Sequence, residues 1–320
     1  MLRAAELLSA LTLLFLIVIA VSVWSWLSSP PGRERWPWYL SECRYAEIGD
    51  RNIRQFAQRL AAETGLSGVC SQVYYDRGLA AEPHWKAAAE EYGFGLRISP
   101  DNRSLRVNHG MDSIASAEFR DAEADFTELL KLAPANSDYL TNRGQARELR
   151  GDWQGAIRDY SAAIRADPEV YGAYTYRGRA YALLGRYDLA IGDLAREFKL
   201  FPDMPTALWL YLAKRKAGHD DRTSLRDEVR SSDLKRWPGP AIRYFLGQIS
   251  GAELERIARS DPNVHYFHQS CDAWFYLGEE ALANGDRARA RSYFQKTVSN
   301  CDAVDYERDA AVLELERLGG

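Results

Sequence analysis

The chain carries no surplus of positive charge: 41 Lys and Arg stand against 45 Asp and Glu, a formal net charge of −4. A surface built to coat a phosphate backbone needs a basic excess, so general nucleic-acid binding is disfavoured. Cysteine is scarce, four in 320 residues, which excludes a disulfide-dense scaffold. None of the four forms C-x-x-C, and no Cys/His cluster has zinc-ligand spacing. Also missing are G-x-x-x-x-G-K-[ST], G-x-G-x-x-G after a strand, G-x-S-x-G and H-E-x-x-H. His265 and His268 form an isolated H-x-x-H beside Asp261, with no third ligand placed by sequence, and read as a polar loop. No catalytic residue, metal site or cofactor is implied, and the chain does not read as an enzyme.

What is present is ample apolar material, 46% hydrophobic and 12% aromatic, enough for a sizeable core. Length alone suggests about two domains at roughly 150 residues each. One stretch stands apart. Leu7–Leu27 contains no charge, and its 21 residues at about 1.5 Å rise can cross a hydrocarbon layer of roughly 30 Å. Trp24 and Trp26 sit where an interfacial aromatic belt would lie. This reads as a single-pass signal-anchor within 1–29. A cleaved signal peptide with Ala20-Val21-Ser22 at its end is the rival reading. Flanking Arg residues on both sides leave orientation undecided. The cysteines break the tie: Cys43–Cys70 and Cys271–Cys301 are two sequence-local pairs. Bridged, they place the body outside the cytoplasm; four packed thiols are the alternative.

The middle of the chain is periodic. Pro100, Pro134, Pro168 and Pro202 recur every 34 residues, as do Ala88, Ala122, Ala156 and Ala190. Three residues before each Ala stands Trp85, Phe119, Trp153 or Tyr187, and Gly110, Gly144 and Gly178 keep the same register. The blocks are 69–102, 103–136, 137–170 and 171–204. Each is a pair of antiparallel helices: in the third, Tyr139–Leu149, a turn at Gly151-Asp152, then Trp153–Arg165. Gly and Ala let the backbones approach, aromatic and aliphatic residues fill the space between blocks, and Pro closes each block. One pair cannot bury its apolar face, so the blocks stack. Asp125, Asp159 and Asp193 share the period, which marks them as structural hydrogen-bonding or exposed positions and not catalytic carboxylates.

The series Tyr174, Gly178, Tyr181, Gly185, Tyr187, Ala190 and Pro202 resembles the tetratricopeptide repeat. The first block departs from it, with Asp76 where Gly is expected and Pro83 in its turn. The resemblance implies an all-α superhelix whose first helices face a concave groove. It brings Asn108, Met111, Asp138, Asn142, Gln145, Thr175, Tyr176 and Arg179 to that groove as peptide-binding candidates.

Around the repeats, 30–68 reads as an extension with one amphipathic helix capped by Asp50. Residues 205–270 read as a degenerate helical section. A final repeat and a capping helix, Tyr306–Leu318, fill 271–320. Leu208–Ala213, Tyr244–Gly247, Phe275–Gly278, Gly285-Asp286 and Leu313-Glu314-Leu315 resemble the NlpI-type bacterial envelope adaptors. That likeness implies a periplasmic, membrane-tethered, commonly dimeric scaffold that gathers murein hydrolases and a processing protease. Those relatives are typically lipoproteins, and no lipidation Cys follows the apolar run here. The expected partners are a protein or peptide, the inner membrane through residues 7–27 and a second copy of the chain. The alternative is a structural or assembly subunit of a larger membrane complex.

Overall fold

A computed structural model describes residues 66–81, 84–219, 221–260 and 269–319. The chain divides into two compact units, Met1–Val73 and Tyr74–Gly320, and the second holds the repeat stack. The apolar run Leu7–Leu27, Asp50 with its helix, Cys43, and the His265/His268 pair lie outside the described residues. Among the described residues no helix is long and apolar enough to cross a membrane.

Fifteen helices and no strand are found among the described residues. The repeat region holds α1 (Leu66–Ala81), α2 (Trp85–Ile98), α3 (Arg103–Ala115), α4 (Phe119–Leu132), α5 (Ser137–Leu149), α6 (Trp153–Ala166), α7 (Ala173–Leu183) and α8 (Tyr187–Leu200). Beyond it come α9 (Met204–Lys216), α10 (Arg222–Glu228), α11 (Gly239–Phe245), α12 (Gly251–Ser260), α13 (Gln269–Ala283), α14 (Arg287–Asn300) and α15 (Tyr306–Gly319). The short α10 is not among the expected elements. α5 begins two residues earlier than its sequence suggests, because Asn136 caps it by accepting from the Tyr139 N–H at 2.9 Å.

The glycine–aromatic spacing explains how each pair closes. A Cβ on Gly144 would lie 2.6 Å from the Tyr160 ring, and one on Gly278 would lie 2.5 Å from Phe294. Sixteen residues on from each Gly, the ring fills the space that the missing side chain leaves. In the first pair the structure corrects the expected register. Gly78, not Asp76, faces the Tyr92 ring, because α1 ends two residues sooner after its glycine than the later first helices do. Pro83 lies outside the described residues.

The recurrent aspartates form an ion-pair ladder. Asp159 accepts from Arg143 at 2.7 and 2.9 Å and from Arg147 at 2.8 Å. Asp193 accepts twice from Arg177 at 2.7 Å. Arg177 also donates to Ser161 Oγ at 2.9 Å, so one guanidinium ties its own second helix to that of the preceding pair. Asp125 is held by Arg106 at 2.9 Å and by the His109 ring. His109 stands where later pairs have Arg143 and Arg177.

The section after α8 is helical but off register, and it carries the largest core. Trp209 stacks on Phe275 at 5.9 Å, while Phe245 sits between Tyr211 and Tyr276 at 5.4 and 6.1 Å. The residues behind the envelope-adaptor resemblance are thus mostly members of one apolar cluster. Cys271 and Cys301 are bonded, their Cα atoms 5.7 Å apart, and fasten the start of α13 to the end of α14. Cys70 is buried and disulfide-bonded.

Candidate functional site

The first helices α3, α5, α7 and α9 lie in succession, and the eight candidate residues fall on the first three of them. They do not share one surface condition. Met111 is 50% exposed, and Asp138 on the next first helix is exposed beside the partly exposed Asn108 and Asn142. Asn142 Nδ2 donates to the Asp138 carbonyl at 2.8 Å, which steadies the side chain along its helix. This stretch of α3 and α5 presents a thioether, two amides and a carboxylate to its surroundings.

Three of the other candidates are met by the chain's own last helix. Gln145 Nε2 donates to the Tyr306 hydroxyl at 2.7 Å. Tyr176 stacks on Tyr306 with ring centroids 6.1 Å apart and planes 20° from parallel. The Arg179 guanidinium lies 3.5 Å from the Tyr306 ring centroid, with Tyr176 at 5.1 Å and Trp209 at 5.8 Å, an arrangement in which a cation is drawn to aromatic faces. The fourth, Thr175, is engaged by Thr206 of α9 at 3.2 Å. The capping helix therefore does more than close the final repeat: it covers the first helices of earlier ones.

Further along, Lys216 Nζ donates to Glu314 at 3.0 Å and pairs with Glu279 at 2.9 Å. Arg317 donates to the Leu183 carbonyl. Arg291 reaches the Leu318 carbonyl at 2.5 Å, so a cation caps the negative end of α15. None of these residues stood among the sequence candidates. Their signal was faint, because a contact across 98 or 134 residues has no period.

Burial shapes the electrostatics beneath α15. Glu148 has no exposure and accepts from the Tyr160 hydroxyl at 2.5 Å. Burial pushes its carboxyl up to about 7, with nearby Arg179 opposing. Burial likewise raises Asp309 to about 6 and lifts Glu307 above the usual carboxylate range. Arg179 Nε and Nη2 and Glu148 Oε1 are shielded from solvent without a hydrogen-bond partner. These groups sit around a helix contact, and none of them is a nucleophile aligned against a base.

Among the described residues one trio could be considered for a metal, Cys271, Cys301 and Asp305. Its two thiols are spent in the bridge. Asp221 caps α10 by accepting from the Ser224 N–H at 2.9 Å.

Residues 107–169 and 150–205 match the tetratricopeptide repeat family. The fold is similar to a tetratricopeptide repeat protein from Parabacteroides merdae ATCC 43184, at 19% identity over 78% of this chain and 99% of that one, with a TM-score of 0.50. It is also similar to PilW, a type IV pilus biogenesis factor, at 16% identity over 72% and 93% of the two chains and a TM-score of 0.47. MamA matches at 19% identity over 50% of this chain and 92% of its own, with a TM-score of 0.45. At these identities the likeness is one of fold.

Proposed function

From a chain whose residues 107–205 are tetratricopeptide repeats, we propose a non-enzymatic scaffold that binds a protein or peptide in the open half of its groove. The observation that carries this is the uncovered face of α3 and α5, where Met111 is half exposed beside Asn108, Asp138 and Asn142. Amides can hydrogen-bond the backbone of an extended peptide while the thioether packs on its apolar side chains. Stacked repeats provide concave surfaces suited to such use. No cofactor takes part in this reading.

The scaffold is anchored in a bacterial inner membrane by Leu7–Leu27, with its body in the periplasm. There it positions cell-wall hydrolases or a protease, as the resemblance of the segment from about residue 137 to the C-terminus to NlpI-type adaptors implies, and it pairs with a second copy. The bridge between Cys271 and Cys301 supports an oxidising compartment. The second reading is an assembly subunit of a membrane complex. It is favoured by α15 filling half of the groove, which makes that part of the molecule a rigid spacer.

A photo-crosslinking residue at Met111 or Asn142, followed by capture from membranes, separates the two. Hydrolases or proteases joined at those positions support the adaptor, and a stoichiometric integral complex supports the subunit. Loss of both outcomes, with crosslinks no different from a site on the outer helices, ends the groove reading. Alkylation of intact cells with and without reductant tests the compartment: labelling of all four cysteines without reduction defeats the periplasmic assignment.

A further inference from the structure

The contacts between α15 and the groove are polar and imperfectly satisfied. Arg179 keeps two nitrogens shielded and unpaired under the Tyr306 ring, and Glu148 keeps one such oxygen. Shielded polar atoms without hydrogen-bond partners weaken a contact, because burial removes their water and the aromatic faces around Arg179 offset only part of that loss. The fully buried apolar face of α15 is narrow, with Leu313 and Leu315 packing against the core only in part. Of its fully buried apolar residues, Ala310 and Ala311 are alanines and Leu318 alone is large, and small side chains remove little area from water. The helix hangs on a five-residue link, Cys301–Asp305, whose base is fastened by the Cys271–Cys301 bridge. α15 can therefore leave without pulling α14 from the core. Its charges also complement the surface it covers: Glu314 meets Lys216, and Glu307 lies near Arg179.

We infer that α15 is a displaceable occupant of the groove half formed by α5, α7 and α9. When α15 lifts, that half takes a partner helix of the same pattern: an aromatic residue at its start, with acidic residues one and eight positions later. The chain supplies this pattern itself as Tyr306, Glu307 and Glu314. Arg179 and Lys216 are the receiving cations, and the ring of Tyr176 and the amide of Gln145 receive the aromatic residue. The inference deepens the groove reading but concerns its covered half, so crosslinking at Met111 or Asn142 plays no part in its test.

The probe is a labelled synthetic peptide of residues 302–319 added to the full chain in detergent micelles. The unaltered chain should bind it poorly, since α15 occupies the site in cis. A Tyr306→Ala/Arg317→Ala double variant should bind it at least about tenfold tighter, because the competent fraction rises in proportion. Adding Arg179→Ala to that variant should reverse the gain. A double variant with parental helicity that binds no better than the parent overturns the inference. Hydrogen exchange on the unaltered chain decides the matter should the variant lose its fold. Amides of 306–319 exchanging faster than those of 269–300 support displacement. Equal protection overturns it, because α15 would then open only with the core.

Discussion

The first helices fall into two halves of the same make, yet one, α3 with the start of α5, is open and the other, the rest of α5 with α7 and α9, is covered by α15. On α3 and α5, Met111 and Asp138 face outward, with the Phe126 ring packed behind them under Gly110. Where α5 meets α7 and α9, Gln145, Tyr176 and Arg179 are held by Tyr306. Behind the open half, beside the Phe126 ring, buried Asp125 is paired by Arg106 and His109. The covered half carries its charges inward, around Glu148 and Arg179. A repeat can therefore keep its own packing intact while a distant segment decides whether its surface is available.

The largest effect should come from the support of the open half. Phe126→Ala removes a fully buried ring and should cost about 3–5 kcal/mol. Chemical unfolding should show a clear fall in midpoint while tryptophan fluorescence from Trp209 in the covered half changes little before that transition. A simultaneous early change at Trp209 would join the halves into one cooperative unit and break the comparison.

The covered half should respond to pH. Glu148 is pushed up to about 7 in the folded protein, so the folded state holds its proton over a range where the unfolded carboxyl has released it. Stability from this group is complete below the ordinary carboxylate range and is lost as pH rises through about 7, by roughly 3 kcal/mol. Glu148→Gln should flatten the dependence of thermal midpoint on pH between about 5 and 8. An unchanged slope in that variant would assign the dependence elsewhere.

A smaller effect is expected at the turn of the second pair. Ala117 has φ 63°, in the left-handed region that Gly151 and Gly185 occupy in the following pairs. Ala117→Gly should relieve strain and stabilise by roughly 1 kcal/mol, measured as a raised thermal midpoint. A lowered midpoint would mean that the gain in unfolded-chain freedom outweighs it.

The smallest belongs to the exposed face itself. Met111→Ala should shift stability by less than about 0.5 kcal/mol while reducing photo-crosslink yield from Asn142 to any captured protein. A large stability loss would show that Met111 supports the fold and does not merely face outward.

Much of this was legible in the sequence. The 34-residue spacing of Gly, Ala, aromatic and Pro placed the third pair, α5 and α6, to within two residues at each end. The recurrence of Asp125, Asp159 and Asp193 identified them as structural, and the ladder to Arg143 and Arg177 bears this out. Their arginine partners were equally visible, 34 residues apart, but His109 in the matching place hid the series. The two-residue register change at Gly78 escaped because Asp76 was compared at fixed spacing. The short helix α10 was also missed, since seven residues carry too little period to stand out.

Sequence alone settles what neighbouring helices do to each other, because a repeat records the same short-range contact again and again. It could not settle that the last helix returns over α5, α7 and α9. The Gln145–Tyr306 hydrogen bond spans 161 residues, and such a meeting depends on how every intervening pair stacks on the next. The folded stack alone brings those ends together, and it turns three of the eight candidate groove residues, Gln145, Tyr176 and Arg179, into the inner face of a contact already made.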